Sequence, residues 1–206
     1  MPKAGLSHEA VVAEAERLAD EVGLENLTLY ALAARLGVRQ PSLYKHIASL
    51  TAVRQAIALR ALGEMTDVLA RSAVGRSKGD AIWAMAGVYR DWAKAHAGRY
   101  QAIQRAPEPG DAAHEAAGAR AVGVFSDVLA GFGLYDDEAV DAVRSLRSAL
   151  HGFVSLEIGG GFAIPLDLDR SYERLIATIV ASFSHPGPRP IQRQDEPPLG
   201  GSRASR

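Results

Sequence analysis

Residues 28–46 read TLYALAARLGVRQPSLYKH, an order that predicts two short helices joined by a tight turn. Leu29, Leu32 and Leu36 form one apolar stripe at helical spacing, with Ala33 beside them. Thr28 stands where an N-cap belongs, its hydroxyl placed to accept a bond from a free backbone N–H. Gly37 follows the last stripe residue, where a left-handed backbone ends the helix and a Cβ is costly. Val38 returns to the core. A second helix is expected from about Gln40, with Pro41 in its first turn, where a missing N–H does no harm. Leu43 and Ile47 are its only clear anchors; the other side carries Gln40, Ser42, Tyr44, Lys45 and His46. The small Ala33 lets the two helices cross closely, as a helix-turn-helix requires. A short helix with such a face implies contact with duplex DNA.

The side chains suit that contact in different ways. Gln40 matches the N6 and N7 edge of adenine, Lys45 guanine acceptors or phosphate, and Ser42 either a base edge or a phosphate. Thr28, Tyr44 and His46 fit phosphate contacts, which position a protein without reading sequence. Arg39, just before the helix, fits a base or a phosphate. The charge distribution agrees. Net charge is −1, yet Arg35, Arg39, Lys45, Arg54 and Arg60 lie in a stretch without a single acid. Glu9, Glu14, Glu16, Asp20, Glu21 and Glu25 face only Arg17 in the preceding segment. Positive charge gathered around the reading helix is expected to act as a local footprint for phosphates.

Working outward, the pattern is helical almost throughout. Ser7 is placed to cap a first helix ending at Gly23, and Ser49 to cap a long fourth helix closing near Gly75. Ile82, Met85, Tyr89 and Trp92 mark a helix from about Asp80 to His96. Gly98 is expected to interrupt it, with a short helix over 99–105 stopped by Pro107-Glu108-Pro109-Gly110. Further helices are expected over 111–130, from Asp136 or Asp137 to about Ile158, and over 169–183. From Pro186 onward nothing can fill a core, which predicts a disordered tail. The expected architecture is all-α: a DNA-binding head over 1–52, a helical body over 53–185 and a tail over 186–206.

The stretch containing Leu27-Thr28, Leu32-Ala33, Leu36-Gly37-Val38 and Leu43-Tyr44-Lys45-His46 resembles the helix-turn-helix of the tetracycline-repressor-like (TetR) family of bacterial regulators. Gln40-Pro41-Ser42 is close to the Gln-Pro-Thr of the tetracycline repressor, whereas Leu50 stands where many members carry Lys. The later half also resembles the family. Tyr89-Arg90-Asp91-Trp92, His96-Ala97-Gly98-x-Tyr100, His151-Gly152 and Leu156-Glu157 are similar to its C-terminal type named for a Trp-His-Gly motif, with Leu150 in place of the Trp. The resemblance implies a body that binds a small ligand and a homodimer formed through the last two helices.

The residues offer their own support for both expectations. Met85, Tyr89 and Trp92 form an aromatic stripe, and the helix over 111–130 is rich in Ala, Gly and Val, which leaves room beside it. With Phe125, Leu129 and the polar pair Arg147 and His151, these define an expected pocket for a mainly apolar molecule. The plainer alternative makes them core, with Arg147 paired to Asp141 or Asp127. Ser145, Ala149 and Gly152 form a small-residue strip. Tyr172, Leu175, Ile176, Ile179, Val180 and Phe183 form an apolar stripe, and the two together suit a four-helix dimer contact.

Catalytic readings find little. Gly159-Gly160-Gly161 follows a helix and lacks the Lys-Ser/Thr of a phosphate loop. The histidines lack metal-ligand spacing, and Asp136-Asp137 suits a helix start. No catalytic set, metal or cofactor is expected. With no cysteine, no membrane-length apolar run and no signal-peptide core, the expected location is the cytoplasm. The leading expectation is a repressor released from a palindromic operator by a small apolar molecule. The alternative is a helical small-molecule carrier or enzyme with a vestigial DNA-binding head.

Overall fold

The computed structural model describes residues 6–104 and 110–184. Among them are helices α1 (His8–Val22), α2 (Leu29–Leu36), α3 (Gln40–Leu43), α4 (Leu50–Ala73) and α5 (Lys78–Ala95). They continue as α6 (Ala97–Ile103), α7 (Ala112–Ala130), α8 (Asp136–Ile158) and α9 (Leu168–Ser182), with no strand among the described residues. The expected stop at 107–109 and the tail over 186–206 lie outside the described residues.

The caps predicted from sequence are in place. Ser7, Thr28 and Ser49 each accept a backbone N–H from the first turn of α1, α2 and α4. Asp111, which the sequence reading placed inside its helix, caps α7 in the same way. Gly37 closes α2 in the left-handed region, at φ 66°. The second helix of the motif is shorter than expected. Regular α-geometry ends at Leu43, and Tyr44, Lys45 and His46 continue as tight turns, with His46 N–H bonded to Leu43 O at 2.8 Å. The His46 carbonyl is instead taken by His8 Nδ1 at 2.8 Å, which ties the end of the turn to the start of α1.

Two apolar clusters share the chain. One gathers Val11, Ala15, Leu18, Leu24, Leu27, Leu32, Leu43, Ile47, Val53 and Ile57 under the α2–α3 turn. The other gathers Met65, Leu69, Ile82, Met85, Tyr89, Leu146, Leu150 and Ile176 between α4, α5, α8 and α9. α4 feeds both, so the head and body are joined by one continuous rod. α6 is the second joint, with Ala102 in the head cluster and Tyr100 in the body cluster.

Here the structure corrects the sequence reading. The chain breaks at His96, at φ −132° and ψ 52°, and Gly98 lies inside α6. Its reason is space: a Cβ on Gly98 would stand 2.0 Å from the Ala19 carbonyl oxygen. The missing side chain lets α6 lie against the last turn of α1. Asp20 then accepts Arg99 N–H at 2.9 Å and Arg99 Nε at 2.7 Å, and Gln101 accepts Leu24 N–H at 3.1 Å.

In the body, Arg90 holds α5 to both later helices, at 2.7 Å from Glu157 and 2.8 Å from Asp169, with its guanidinium over Tyr172. Hydrogen bonds from Arg90, with Lys94 adding to them, keep the Glu157 carboxyl below its usual pKa. A depressed carboxyl contributes stability above the unfolded-state pKa and loses it as pH falls through the folded value. Glu157→Gln is therefore expected to cost about 1.5–3 kcal/mol at neutral pH. In urea melts the gap to wild type should narrow at about pH 3; an equal gap at both pH values would contradict the assignment.

Candidate nucleic-acid interface and cavity

The α2–α3 turn presents a compact polar face. Gln40, Pro41, Tyr44 and Lys45 are exposed together with Thr28 and Arg39, while Ser42 and His46 are half-buried. Leu43 and Ile47 point inward, at 0% and 5% exposure, so the two anchors fix which side faces out. Tyr44 is 54% exposed, so its ring and hydroxyl are open to a partner. Thr28 Oγ1 is engaged by Ala31 N–H at 3.2 Å, so its first role is the cap, and a phosphate contact would use its other lone pair.

The basic footprint is narrower than the sequence suggested. Arg35 is held by Glu14 at 3.0 Å and by Glu21 at 2.5 Å, and Arg60 by Glu16 at 2.9 Å. Arg54 Nη2 turns inward to the carbonyls of Leu24 and Glu25, at 3.2 and 3.3 Å. The acidic α1 segment thus neutralises much of the basic one. Among the described residues, the side chains of Arg39, Gln40, Ser42, Tyr44 and Lys45 have no ion-pair or hydrogen-bond partner. Of the five cations of the 35–60 segment, the two without a partner among the described residues, Arg39 and Lys45, lie on one turn with these donors.

In the body, α4, α7 and α8 enclose a cavity of about 580 Å³, bounded also by Tyr89 of α5 and the end of α6. Three of the expected pocket residues, Tyr89, Phe125 and Arg147, line it. Four do not. Met85 and Leu129 are sealed in the core at 1% and 0% exposure. Trp92 packs on His96, with ring centroids 5.0 Å apart, and lies under the Arg99 guanidinium. His151 Nδ1 is 2.7 Å from the Tyr100 hydroxyl, which in turn is 3.0 Å from the Tyr89 hydroxyl. That chain of polar groups runs from the cavity wall to α8. Burial, and after it the Arg147 charge, lowers the His151 pKa below its usual value, which keeps the ring neutral at pH 7.

Sequence reasoning missed the α4 wall of the cavity, Leu62, Met65 and Leu69, and the buried His114. The signal for the α4 wall was an apolar stripe longer than the head could cover. His114 stands in the first turn of α7, and its Nδ1 has no hydrogen-bond partner among the described residues. The Asp111 carboxylate is 3.7 Å away, beyond hydrogen-bond reach. Arg147 is exposed at the cavity and makes no ion pair among the described residues; Asp141 is instead close to Arg144, at 3.4 Å.

The expected dimer residues divide into two sets. Tyr172, Ile176 and Phe183 are buried within the subunit: Tyr172 donates to Ala86 O at 2.8 Å and Phe183 packs on Phe132. Leu175, Ile179 and Val180 are half-buried. On α8, Ser145 and Gly152 are exposed, Ala149 is half-buried, and the strip continues to Leu156 at 50% exposure. No helix among the described residues is long and apolar enough to cross a membrane.

Comparisons with known proteins agree with this geometry. Residues 11–57 match the model for bacterial regulatory proteins of the tetR family, and residues 82–179 that for the tetracyclin repressor-like C-terminal domain. The chain is 38% identical over 181 residues to the uncharacterized HTH-type transcriptional regulator Rv0681 of Mycobacterium tuberculosis, covering 87% of this chain and 83% of that protein. A TetR variant of Acinetobacter baumannii, solved in complex with minocycline, is similar at TM-score 0.67 and 22% identity, over 87% of this chain and 97% of that one. BioQ, solved with its double-stranded DNA operator, is similar at TM-score 0.60 and 21% identity, over 87% and 99%. These two likenesses are of fold. The two family matches, which together span the head and most of the body, and the Mycobacterium tuberculosis relative place the chain in the TetR family of bacterial transcriptional regulators.

Proposed function

We propose that the protein is a homodimeric repressor that binds a palindromic operator and leaves it when a small apolar molecule enters the body cavity. The observation that carries this reading is the joint between the two parts. α4 and α6 both wall the cavity and both pack into the head, through Val53, Ile57 and Ala102. A ligand that favours one arrangement of these helices changes the angle of the reading turn. It acts only through its differential affinity for the two arrangements. The solved relatives with operator DNA and with minocycline support both halves of the reading. The head is assigned to residues 1–52 and the body to 53–185, working in the cytoplasm and without catalysis.

In the head, Gln40 and Ser42 read bases. Lys45 and Arg39 meet bases or phosphates, and Thr28, Tyr44 and His46 meet phosphates, with Pro41 setting the start of the turn. Salt titrations of operator binding by fluorescence anisotropy test the charge assignment. Lys45→Ala is expected to lower the slope of log K against log salt by about one, because one phosphate contact is lost. Arg35→Ala should leave that slope unchanged, since its guanidinium already belongs to Glu14 and Glu21. The reverse pattern would overturn the assignment.

The dimer is assigned to the α8 strip Ser145, Ala149, Gly152 and Leu156, flanked by Leu175, Ile179 and Val180 of α9. A Cβ on Gly152 meets nothing within 4 Å in the single subunit, so that substitution is tolerated by the fold itself. Gly152→Arg is therefore expected to yield a folded monomer, because the partner interface would have to bury an unpaired charge. Light scattering and circular dichroism check it. A folded Gly152→Arg dimer, or monomeric wild type at micromolar concentration, would contradict the assignment.

A further inference from the structure

We infer that the cavity takes an elongated apolar monoanion of the carboxylate type, its charge meeting Arg147; this rests on the cavity being the regulator's ligand site. Shape comes first. The wall runs from Leu62 to Leu69 on α4 and from His114 to Phe125 on α7. At the rise of an α-helix those spans are about 10 and 16 Å long. Along them Leu62, Met65, Leu69, Val122 and Phe125 give an apolar surface, and Gly118 and Ala121 keep the α7 side low. Such a slot suits a chain or a narrow fused body better than a compact ring.

Charge decides the head group. Arg147 borders the cavity with no ion pair among the described residues. Its guanidinium lies near the phenols of Tyr89 and Tyr100 and near His151, which its charge influences. None of those three carries a negative charge to balance it. The carboxylate that does line the cavity, Glu115, is exposed in the first turn of α7, where the helix dipole already favours it. A planar guanidinium without a carboxylate at the rim of an apolar slot recognises a carboxylate through paired hydrogen bonds. A second polar point lies on the α7 wall. His114 is 7% exposed and its Nδ1 has no hydrogen-bond partner among the described residues, and a buried ring nitrogen without a partner is costly unless something meets it. A ligand with a hydrogen-bonding group as well as the acid would satisfy both.

Calorimetry on the full chain without DNA tests this, using decanoate, 1-decanol and decylammonium at sub-millimolar concentration. These share one apolar chain and differ in charge. Wild type is expected to bind decanoate at least tenfold more tightly than either of the others. Arg147→Ala should erase that preference, and Arg147→Glu should invert it toward decylammonium, a reversal that loss of folding cannot produce. Ala121→Trp, which fills the slot, should abolish binding of all three. Equal binding of the three probes, no binding of decanoate, a wild-type preference for decylammonium, or decanoate binding retained in Ala121→Trp would each overturn the inference. Operator retention is measured separately. Decanoate that binds with the expected preference yet leaves operator affinity unchanged upholds the ligand class and contradicts the switch.

Discussion

Gly98→Ala is expected to lower stability by about 3 kcal/mol, at the upper end for overpacking. In a chain of this size that corresponds to a fall in Tm of roughly 6–12 °C. The new Cβ would meet the Ala19 carbonyl oxygen at 2.0 Å, its carbon at 2.2 Å and Asp20 N at 2.7 Å. All three are backbone atoms of the last turn of α1, so no side chain can rotate away. Relief requires α6 to withdraw from α1, which also stretches the bonds from Asp20 to Arg99 and from Gln101 to Leu24. Gly87→Ala provides the control. It changes the same atoms in helix α5, where a Cβ meets nothing within 4 Å. That substitution should stabilise by about 0.5–1 kcal/mol, because alanine loses less backbone entropy in a helix. Thermal melts by circular dichroism check the pair. Two variants within a degree of wild type would show that the close approach of α6 to α1 does not support the fold.

Gln40→Ala is expected to weaken binding to the preferred operator by about 1–3 kcal/mol, and to relax the base preference at one or two positions of each half-site. Gln40 is exposed, at the first position of α3, and its amide has no partner to lose among the described residues. The loss would therefore appear in recognition and leave the melting temperature almost unchanged. Tyr44→Phe separates positioning from reading. Its hydroxyl is the only group removed, and a phosphate contact carries no base information, so all sequences should weaken by a similar factor. Specificity profiles of the two variants settle the roles. A changed base preference in Tyr44→Phe, with none in Gln40→Ala, would exchange them.

The parts of the molecule legible in the sequence are those governed by local rules. Ser7, Thr28 and Ser49 cap their helices because capping depends on a side chain and backbone N–H groups within one turn. Gly37 ends α2 for an equally local reason, its left-handed backbone. Gly98 was misread because the same residue type serves two ends. A glycine that breaks a helix and one that admits a neighbouring helix look alike until the neighbour is known. The five cations of the 35–60 segment look like one footprint in the sequence. Which of them are free depends on α1 lying across the head, since Glu14, Glu16 and Glu21 reach Arg35 and Arg60 only through the fold.

The cavity divides in the same way. Small residues along α7 announced the space, and Tyr89, Phe125 and Arg147 border it. Met85 and Leu129 share the same apolar stripes but face the solid core a fraction of a turn away. Periodicity assigns a residue to a face of its helix, and a face about a third of the circumference wide holds both core and cavity wall. The α9 stripe shows the same limit. Tyr172, Ile176 and Phe183 complete the subunit's own core, while Leu175 and Ile179, one position or one turn away, remain partly open.

The central claim is that a dimer reads DNA through the exposed turn from Arg39 to His46. It is tested most directly by selecting bound duplexes from a random pool with the full-length protein, and repeating the selection with Gln40→Ala. The account predicts an enriched palindrome whose half-sites are about one helical turn, roughly 34–36 Å, apart. It also predicts that the Gln40→Ala pool loses its base preference at one or two symmetric positions. An unenriched pool, a motif without two-fold symmetry, or a palindrome unchanged by Gln40→Ala would contradict it.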